Sequence, residues 1–211
     1  MIFSRISVVF PNFSPQKWRF MQEKTQGVVL RTLKYNDNSL IVDIYTAIRG
    51  TVSFMVKLPK SRKAALKGVF FRPLSILEID FDYRQKSALQ RIRDVRFKYV
   101  YQTLPYDPRK SSMALFLAEF LCRVLKHEEG SDTLFSYILY SLQWLDASGE
   151  GFSNFHLVFL TRLTRFLGFY PNVEEWHKGD CFDMVEACFV SSFPSRHAYL
   201  EPQEAALIPL L

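Results

Sequence analysis

Hydrophobic side chains recur at every second position through much of the stretch from Gly27 to Tyr99, and at every third or fourth position beyond Ser111. A period near two marks half-buried strands and a period near 3.6 marks amphipathic helices, so the chain is expected to be β first and α second. GVVLRTLKY from Gly27, SLIVDIYTA and TVSFMVKL are rich in β-branched and aromatic residues and predict three strands. Asn36, Asp37 and Asn38 make the first connection and Arg49-Gly50 the second, both short enough for antiparallel neighbours. Residues 74–83 alternate cleanly, with Leu77, Ile79, Phe81 and Tyr83 on one face and Glu78, Asp80 and Asp82 on the other. LQRIRDVRFKYV completes a set of five short strands in about 75 residues, with one long irregular connection between the third and fourth, which suits a small Greek-key barrel such as the OB-fold.

After Tyr101 the pattern changes. TLPYDPRK, with Pro105 and Pro108, reads as a linker, and Ala114, Leu117, Leu121, Val124 and Leu125 then form the apolar stripe of a helix between Ser111 and His127. Gly130 ends that helix, Ser131 and Asp132 favour a new start, and Leu134, Phe135, Ile138, Leu139, Leu142 and Leu145 form the buried stripe of the next. Tyr137, Tyr140 and Trp144 make a second stripe on it, suited either to packing between helices or to a groove for a partner segment. Ser153 is expected to cap a third helix through Phe155, Phe159, Leu163, Phe166 and Leu167, ended by Gly168 and Pro171. The fold class is thus α+β: an extension at residues 1–21, expected to be disordered, with Met21 as the expected true start; a five-stranded OB-fold barrel at 22–103; and a helical bundle at 104–211. The last residues read as the beginning of a helix, so the C-terminus is expected to be truncated.

Charge follows the same division. Residues 1–100 carry 19 lysines and arginines against 7 acids, and residues 101–211 carry 8 against 14, which the net charge of +6 conceals. A basic β module beside an acidic helical one suggests a surface for a polyanion and another for protein contacts. The densest basic patch is KLPKSRKAALKGVFFRP: Lys57, Lys60, Arg62, Lys63, Lys67 and Arg72 lie within sixteen residues that hold no acid, with a helical turn expected at AALK and Phe70 and Phe71 at its end. Cations release counterions from phosphates and aromatic rings stack on bases, and single-strand binders combine the two. Core packing is the expected role of the two phenylalanines. Arg91, Arg93, Arg96 and Lys98 form a second basic stripe, and Arg31 and Lys34 on the first strand complete the candidate nucleic-acid set. Three cysteines are too few and too irregularly placed for a disulfide framework, which predicts a reducing, cytoplasmic setting, and no run of about 18 apolar residues predicts a membrane span.

Candidates for other chemistry are sparse. Glu78, Asp80 and Asp82 share a strand face and could hold Mg²⁺ as a nuclease would, although any half-exposed strand shows such a face. His177, Cys181, Cys188 and His197 supply four metal-ligand types, but no Cys-x2-Cys pair is among them. Cys122 sits on an apolar helix face, the setting of a small core residue. Neither a phosphate-cradling glycine loop nor a nucleophile elbow is present, and no catalytic residue is assigned.

GVVLRTLKYNDNSLIVDIYTAIRGTVSFMVK with its basic KLPKSRK loop resembles the N-terminal OB domain of the bacterial RecO family. FLAEFLCRVLKHEEGSDTLFSYILYSLQWLD, FLTRLTRFLGFYPN and the CFDMVEACF segment resemble its helical domain, so the likeness covers nearly everything after residue 21. It implies a non-enzymatic recombination mediator that binds single- and double-stranded DNA, anneals complementary strands, and acts with RecR and the C-terminal tail of single-stranded DNA-binding protein to load RecA in the nucleoid. The four-cysteine zinc module of some members is missing, and no cofactor is expected. From charge, Arg123, Lys126, Arg162 and Arg165 on the first and third helices are candidates for meeting an acidic, apolar-ended tail peptide. The alternatives are an OB-type adaptor for RNA or an acidic protein, and a Mg²⁺-dependent nuclease.

Overall fold

The computed structural model describes residues 21–58, 68–193 and 198–210. The expected disordered extension before Met21, the helical turn at AALK, the cations Lys60, Arg62, Lys63 and Lys67, and His197 lie outside the described residues.

The barrel is built around one long strand. β1 (Met21–Asn36) pairs antiparallel with β4 (Ile76–Tyr83) through its first half, from Met21 opposite Tyr83 to Val28 opposite Ile76. Through its second half it pairs with β2 (Ser39–Thr46), from Gly27 opposite Thr46 to Asn36 opposite Ser39. β3 (Gly50–Lys57) lies against β2, and β5 (Arg91–Tyr99) against β4, giving the order β3-β2-β1-β4-β5. Gln90 closes the barrel: its N–H donates to the Ser53 carbonyl and its carbonyl accepts from the Met55 N–H, both at 2.9 Å. Its side chain accepts from the Arg84 N–H and donates to the carbonyls of Arg84 and Ser87, so a buried polar group holds the β4–β5 turn. β1 starts at Met21, six residues before the expected Gly27. Gln22, Lys24 and Gln26 dilute the apolar signal there, and the ladder to β4 decides the conformation.

Both faces of the sheet are buried where β1 and β2 meet. Val29, Val42, Ile44, Phe54, Leu77, Ile79 and Phe81 fill the barrel, with Phe54 and Phe81 edge-to-face at 5.2 Å. Phe71 joins this core, as expected from the sequence, and Phe70 packs against it. Val28, Leu30, Tyr45, Leu74 and Ile76 face outward into a second core shared with the helices. Each such side chain, withdrawn from water, contributes about 1.5–3 kcal/mol, so barrel and helices stabilise one another.

α1 (Pro108–Val124) continues into a 3₁₀ turn, Leu125–His127, and is followed by α2 (Asp132–Ala147) and α3 (Phe155–Leu163). The helix therefore begins inside the expected linker: the Asp107 carboxylate accepts from the Arg109 N–H, and Pro108 takes the first helical position, where a missing N–H costs nothing. Cys122 lies partly buried against the shared core. On α2 all six residues of the expected stripe are buried, and the Ser131 hydroxyl caps the Leu134 N–H at 3.3 Å. α3 departs from expectation. Asn154, not Ser153, precedes it, and it ends at Leu163, because three-residue hydrogen bonds such as Phe166 N–H to Leu163 C=O tighten the chain into turns. Phe166 and Leu167 lie in those turns, before Gly168 at φ +80°.

Beyond the shared core, two of the features that join the halves are polar or close-packed. Asp146, 1% exposed in the last turn of α2, accepts from the N–H groups of Gln102 (2.9 Å), Thr103 (2.8 Å) and Leu104 (2.7 Å) and from the Tyr99 hydroxyl (3.0 Å). Burial pushes its pKa up, but the three amides and the phenol outweigh that and hold it below the ordinary carboxylate value. Lys110, 3% exposed, donates to the Asp146 carbonyl and the Thr103 hydroxyl. The second feature is backbone packing: a Cβ on Gly130 would stand 2.3 Å from the carbonyl carbon of Ile48, so the loop before α2 closes on the β2–β3 turn.

Beyond α3 the expected all-helical half holds a small sheet: β6 (Cys181–Asp183), β7 (Cys188–Val190) and β8 (Tyr199–Leu200), in the order β7-β6-β8. Strands of two or three residues are too short for periodicity to announce. α4 (Pro202–Ala205) and a 3₁₀ turn, Ile208–Leu210, follow.

Candidate nucleic-acid interface

The predicted cations fall into two groups. Lys57 ends β3, and barrel closure brings it beside β5, where Lys57, Arg91 and Arg93 line a groove of 270 Å³ floored by Met55, Val56, Phe71, Ile92 and Val95. Arg72 lies in the segment that runs along the second half of β1: the Thr32 hydroxyl donates to the Phe71 carbonyl at 2.6 Å, and Val29 and Leu74 share a backbone bond. Lys57, Arg72 and Arg91 have no ion pair among the described residues.

The others are answered by acids. Arg31 bonds Asp43 at 2.8 Å, and buried Asp43 also accepts from the Ser53 hydroxyl at 2.6 Å. Lys34 pairs with Asp37 at 2.8 Å. On the β4–β5 face Arg93 meets Asp82 at 2.9 Å, while Arg96 at 2.5 Å and Lys98 at 3.4 Å share Glu78. The Arg96 guanidinium, aided by Lys98, draws the Glu78 carboxyl below its usual range despite partial desolvation. Exposed pairs of this kind contribute little because water and salt screen them, so a phosphate can compete for the cation, but the stripe is far closer to neutral than its arginines suggest.

The same pairing bears on the metal alternatives. Glu78 and Asp82 face cations, and both Asp80 oxygens accept from the Gln22 amide at 2.9 and 3.1 Å, so Mg²⁺ would have to displace each donor. His177 is exposed beside Asp180, Cys181 is buried on β6 and Cys188 is half-buried on β7. Among the described residues no three His, Cys, Asp or Glu stand together as a metal site.

Sequence reasoning passed over Tyr35. It lies at the tip of the β1–β2 hairpin, 64% exposed, at a break in register: Lys34 faces Leu40 and Asn36 faces Ser39, leaving Tyr35 as the extra residue of a β-bulge. Its neighbour on the polar NDN turn was the only signal in the chain.

In the helical half, the Tyr137–Tyr140–Trp144 stripe divides. Tyr137 packs inward, stacked on Phe159 at 5.2 Å and Phe166 at 4.9 Å, and its hydroxyl donates to the Phe159 carbonyl. Tyr140 and Trp144 stay exposed, and with Phe155, Val158 and Arg162 they line a 620 Å³ groove between α2 and α3. Of the other predicted partner cations, Arg123 pairs with Glu119 one turn away, Arg165 lies over the Tyr170 ring at 4.1 Å, and Lys126 is exposed in the 3₁₀ turn. Only Arg162 reaches the groove. Among the described residues no helix is long and apolar enough to cross a membrane.

Comparison with known proteins returns a consistent answer. The family model described as recombination protein O N terminal matches residues 21–101, and that described as recombination protein O C terminal matches residues 105–207. A DNA repair protein RecO from Phocaeicola vulgatus is 54% identical over 191 residues, covering 90% of this chain and 79% of the relative. Similar proteins of the same description occur in Bacteroides fragilis, at 49% identity with 88% and 77% covered, and in Flavobacterium johnsoniae, at 39% with 80% and 71% covered.

Proposed function

The chain belongs to the RecO family of DNA repair and recombination proteins, and from this we propose that its barrel holds single- and double-stranded DNA by phosphate contacts, lets complementary strands anneal, and helps load recombinase onto single strands. The observation that carries the reading is a closed OB barrel whose Lys57, Arg72 and Arg91 form no ion pair among the described residues, with Lys57 and Arg72 bounding the basic run of the sequence. Phosphate contacts lower the repulsion between two polyanions and leave base edges free to pair. The mechanism requires no catalytic group and no cofactor, and its setting is the bacterial cytoplasm at the nucleoid.

RecR and the C-terminal tail of single-stranded DNA-binding protein are the proposed partners, with RecA served indirectly. For the tail, the groove between α2 and α3 favours Arg162 over the other predicted cations, because apolar walls from Tyr140, Trp144 and Phe155 lie beside its charge.

The test is fluorescence anisotropy of a labelled single-stranded oligonucleotide at ~50 and ~200 mM salt. Changing Lys57, Arg72 and Arg91 together to Gln should reduce the slope of log affinity against log salt by about 2, since each single-strand phosphate contact contributes ~0.7. A folded variant that binds with unchanged affinity and slope, or a wild-type chain with no salt-sensitive binding, overturns the proposal.

A further inference from the structure

Leu33, Lys34, Tyr35 and Asn36 are four successive exposed residues at the end of a strand whose middle, Gly27 to Leu30, is buried on both sides. β1 carries two bulges, and they act in opposite senses. At the first, Leu30 is the extra residue and is buried in the core shared with the helices; at the second, Tyr35 is the extra residue and is left in solvent. A bulge re-aims the side chains around it and strengthens local twist. Among the described residues the Tyr35 ring and hydroxyl have no hydrogen bond and no ring contact, and most of the side chain faces solvent.

The hairpin tip around the ring is nevertheless fixed. The Asn36 side chain accepts from the Asn38 N–H at 3.0 Å, the Asn38 carbonyl accepts from the Leu58 N–H at 2.8 Å, and Lys34 bonds Asp37 across the turn. Cations lie along the same hairpin: Lys34, paired with Asp37, is adjacent in the chain, Arg31, paired with Asp43, and Arg72, unpaired among the described residues, lie toward its base, and Lys57 is opposite Ser39, two strand spacings or about 10 Å from β1. An exposed ring on a hydrogen-bonded hairpin tip can stack on one base while nearby cations such as Lys57 and Arg72 hold the flanking phosphates.

We propose that Tyr35 is a base-stacking residue that favours unpaired strands over duplex. This rests on the proposed DNA-binding function and adds to it a chemical division: the lysines and arginines read phosphate, which a duplex also offers, whereas the Tyr35 ring reads the face of a base, which a duplex hides. The cations set the salt dependence and the tyrosine sets the discrimination.

The experiment uses the full chain and three fluorescent probes: an oligo(dT) strand, a strand of the same length made of abasic residues, and a blunt duplex. Tyr35→Ala should weaken oligo(dT) binding roughly 5- to 150-fold, the effect of losing one base stack, with the log–log salt slope unchanged. Affinity for the abasic strand and the duplex should stay at the wild-type value, and Tyr35→Phe should bind oligo(dT) as wild type does. An equal loss on the abasic strand, or no loss on oligo(dT), overturns the stacking role. If wild type binds none of the three probes, the DNA-binding function itself fails; if wild type binds and Tyr35→Ala binds equally, only the tyrosine assignment falls. The ring's exposure predicts an unchanged melting temperature for both variants, which separates loss of stacking from misfolding.

Discussion

Replacing Asp146 by asparagine keeps the size of a buried side chain and removes its charge. The carboxylate accepts from three successive backbone N–H groups, at Gln102, Thr103 and Leu104, and from the Tyr99 hydroxyl. Asparagine offers one acceptor oxygen and turns an amide NH₂ toward the remaining donors. Hydrogen bonds to a charged acceptor contribute ~1.5–3 kcal/mol each, and an orphaned buried N–H costs ~1–3 kcal/mol, so a loss of about 3 kcal/mol is expected, with up to ~5 for alanine. For a protein of this size that is a Tm drop of about 6–12 °C. The pH dependence follows from the direction of the shift. A carboxyl held below its unfolded value contributes its full stability above that value, ~3.9, and loses it as pH falls through the native pKa. Urea unfolding followed by tryptophan fluorescence at pH 7, 5, 4 and 3.5 should show a constant gap between wild type and Asp146→Asn down to about pH 5, shrinking below it. A gap under ~1 kcal/mol at pH 7, or one that stays constant into acid, would refute the account of Asp146 as the ionised tie between barrel exit and helix.

Glu78→Gln should release Arg96 and Lys98 from their shared acid, tightening single-strand binding at ~50 mM salt and steepening the salt slope by about 0.7–1.4; an unchanged slope would show that this stripe never meets phosphate. Gly130→Ala would place its Cβ 2.3 Å from the Ile48 carbonyl carbon and 2.5 Å from the Arg49 nitrogen, backbone that cannot swing aside, and should cost about 1–3 kcal/mol in thermal unfolding. Gly149→Ala, with nothing within 4 Å, should stay within ~0.5 kcal/mol, and equal effects at the two sites would contradict the close packing at Gly130.

The outcomes at particular residues separate local from distant causes. The α2 stripe from Leu134 to Leu145, the alternation of β4 and the turn at Asn36–Asn38 were legible in the chain, because helical and strand periods and turn chemistry act over a few residues. Five strands in that order of lengths, followed by amphipathic helices, were enough to indicate a barrel and a bundle. Met21–Gln26 became strand because β4, from Glu78 to Tyr83 far along the chain, lies beside it, and the tiny sheet at Cys181–Leu200 has strands too short to carry a period.

The candidate interface divides along the same line. Composition and clustering announced a basic half, since charge is a property of each residue alone. Which cations remain available was a matter of contacts across the fold: Glu78 takes Arg96 and Lys98, Asp82 takes Arg93 rather than Arg91 opposite it in the ladder, and Asp43 takes Arg31, while Lys57, Arg72 and Arg91 form no ion pair among the described residues. The buried Asp146, the stacked Tyr137 beside exposed Tyr140 and Trp144, and the bulge at Tyr35 are likewise tertiary decisions. Periodicity dictates which face of an element is apolar; burial, ion pairing and register depend on what the chain brings back from far along its length, and only folding supplies that neighbour.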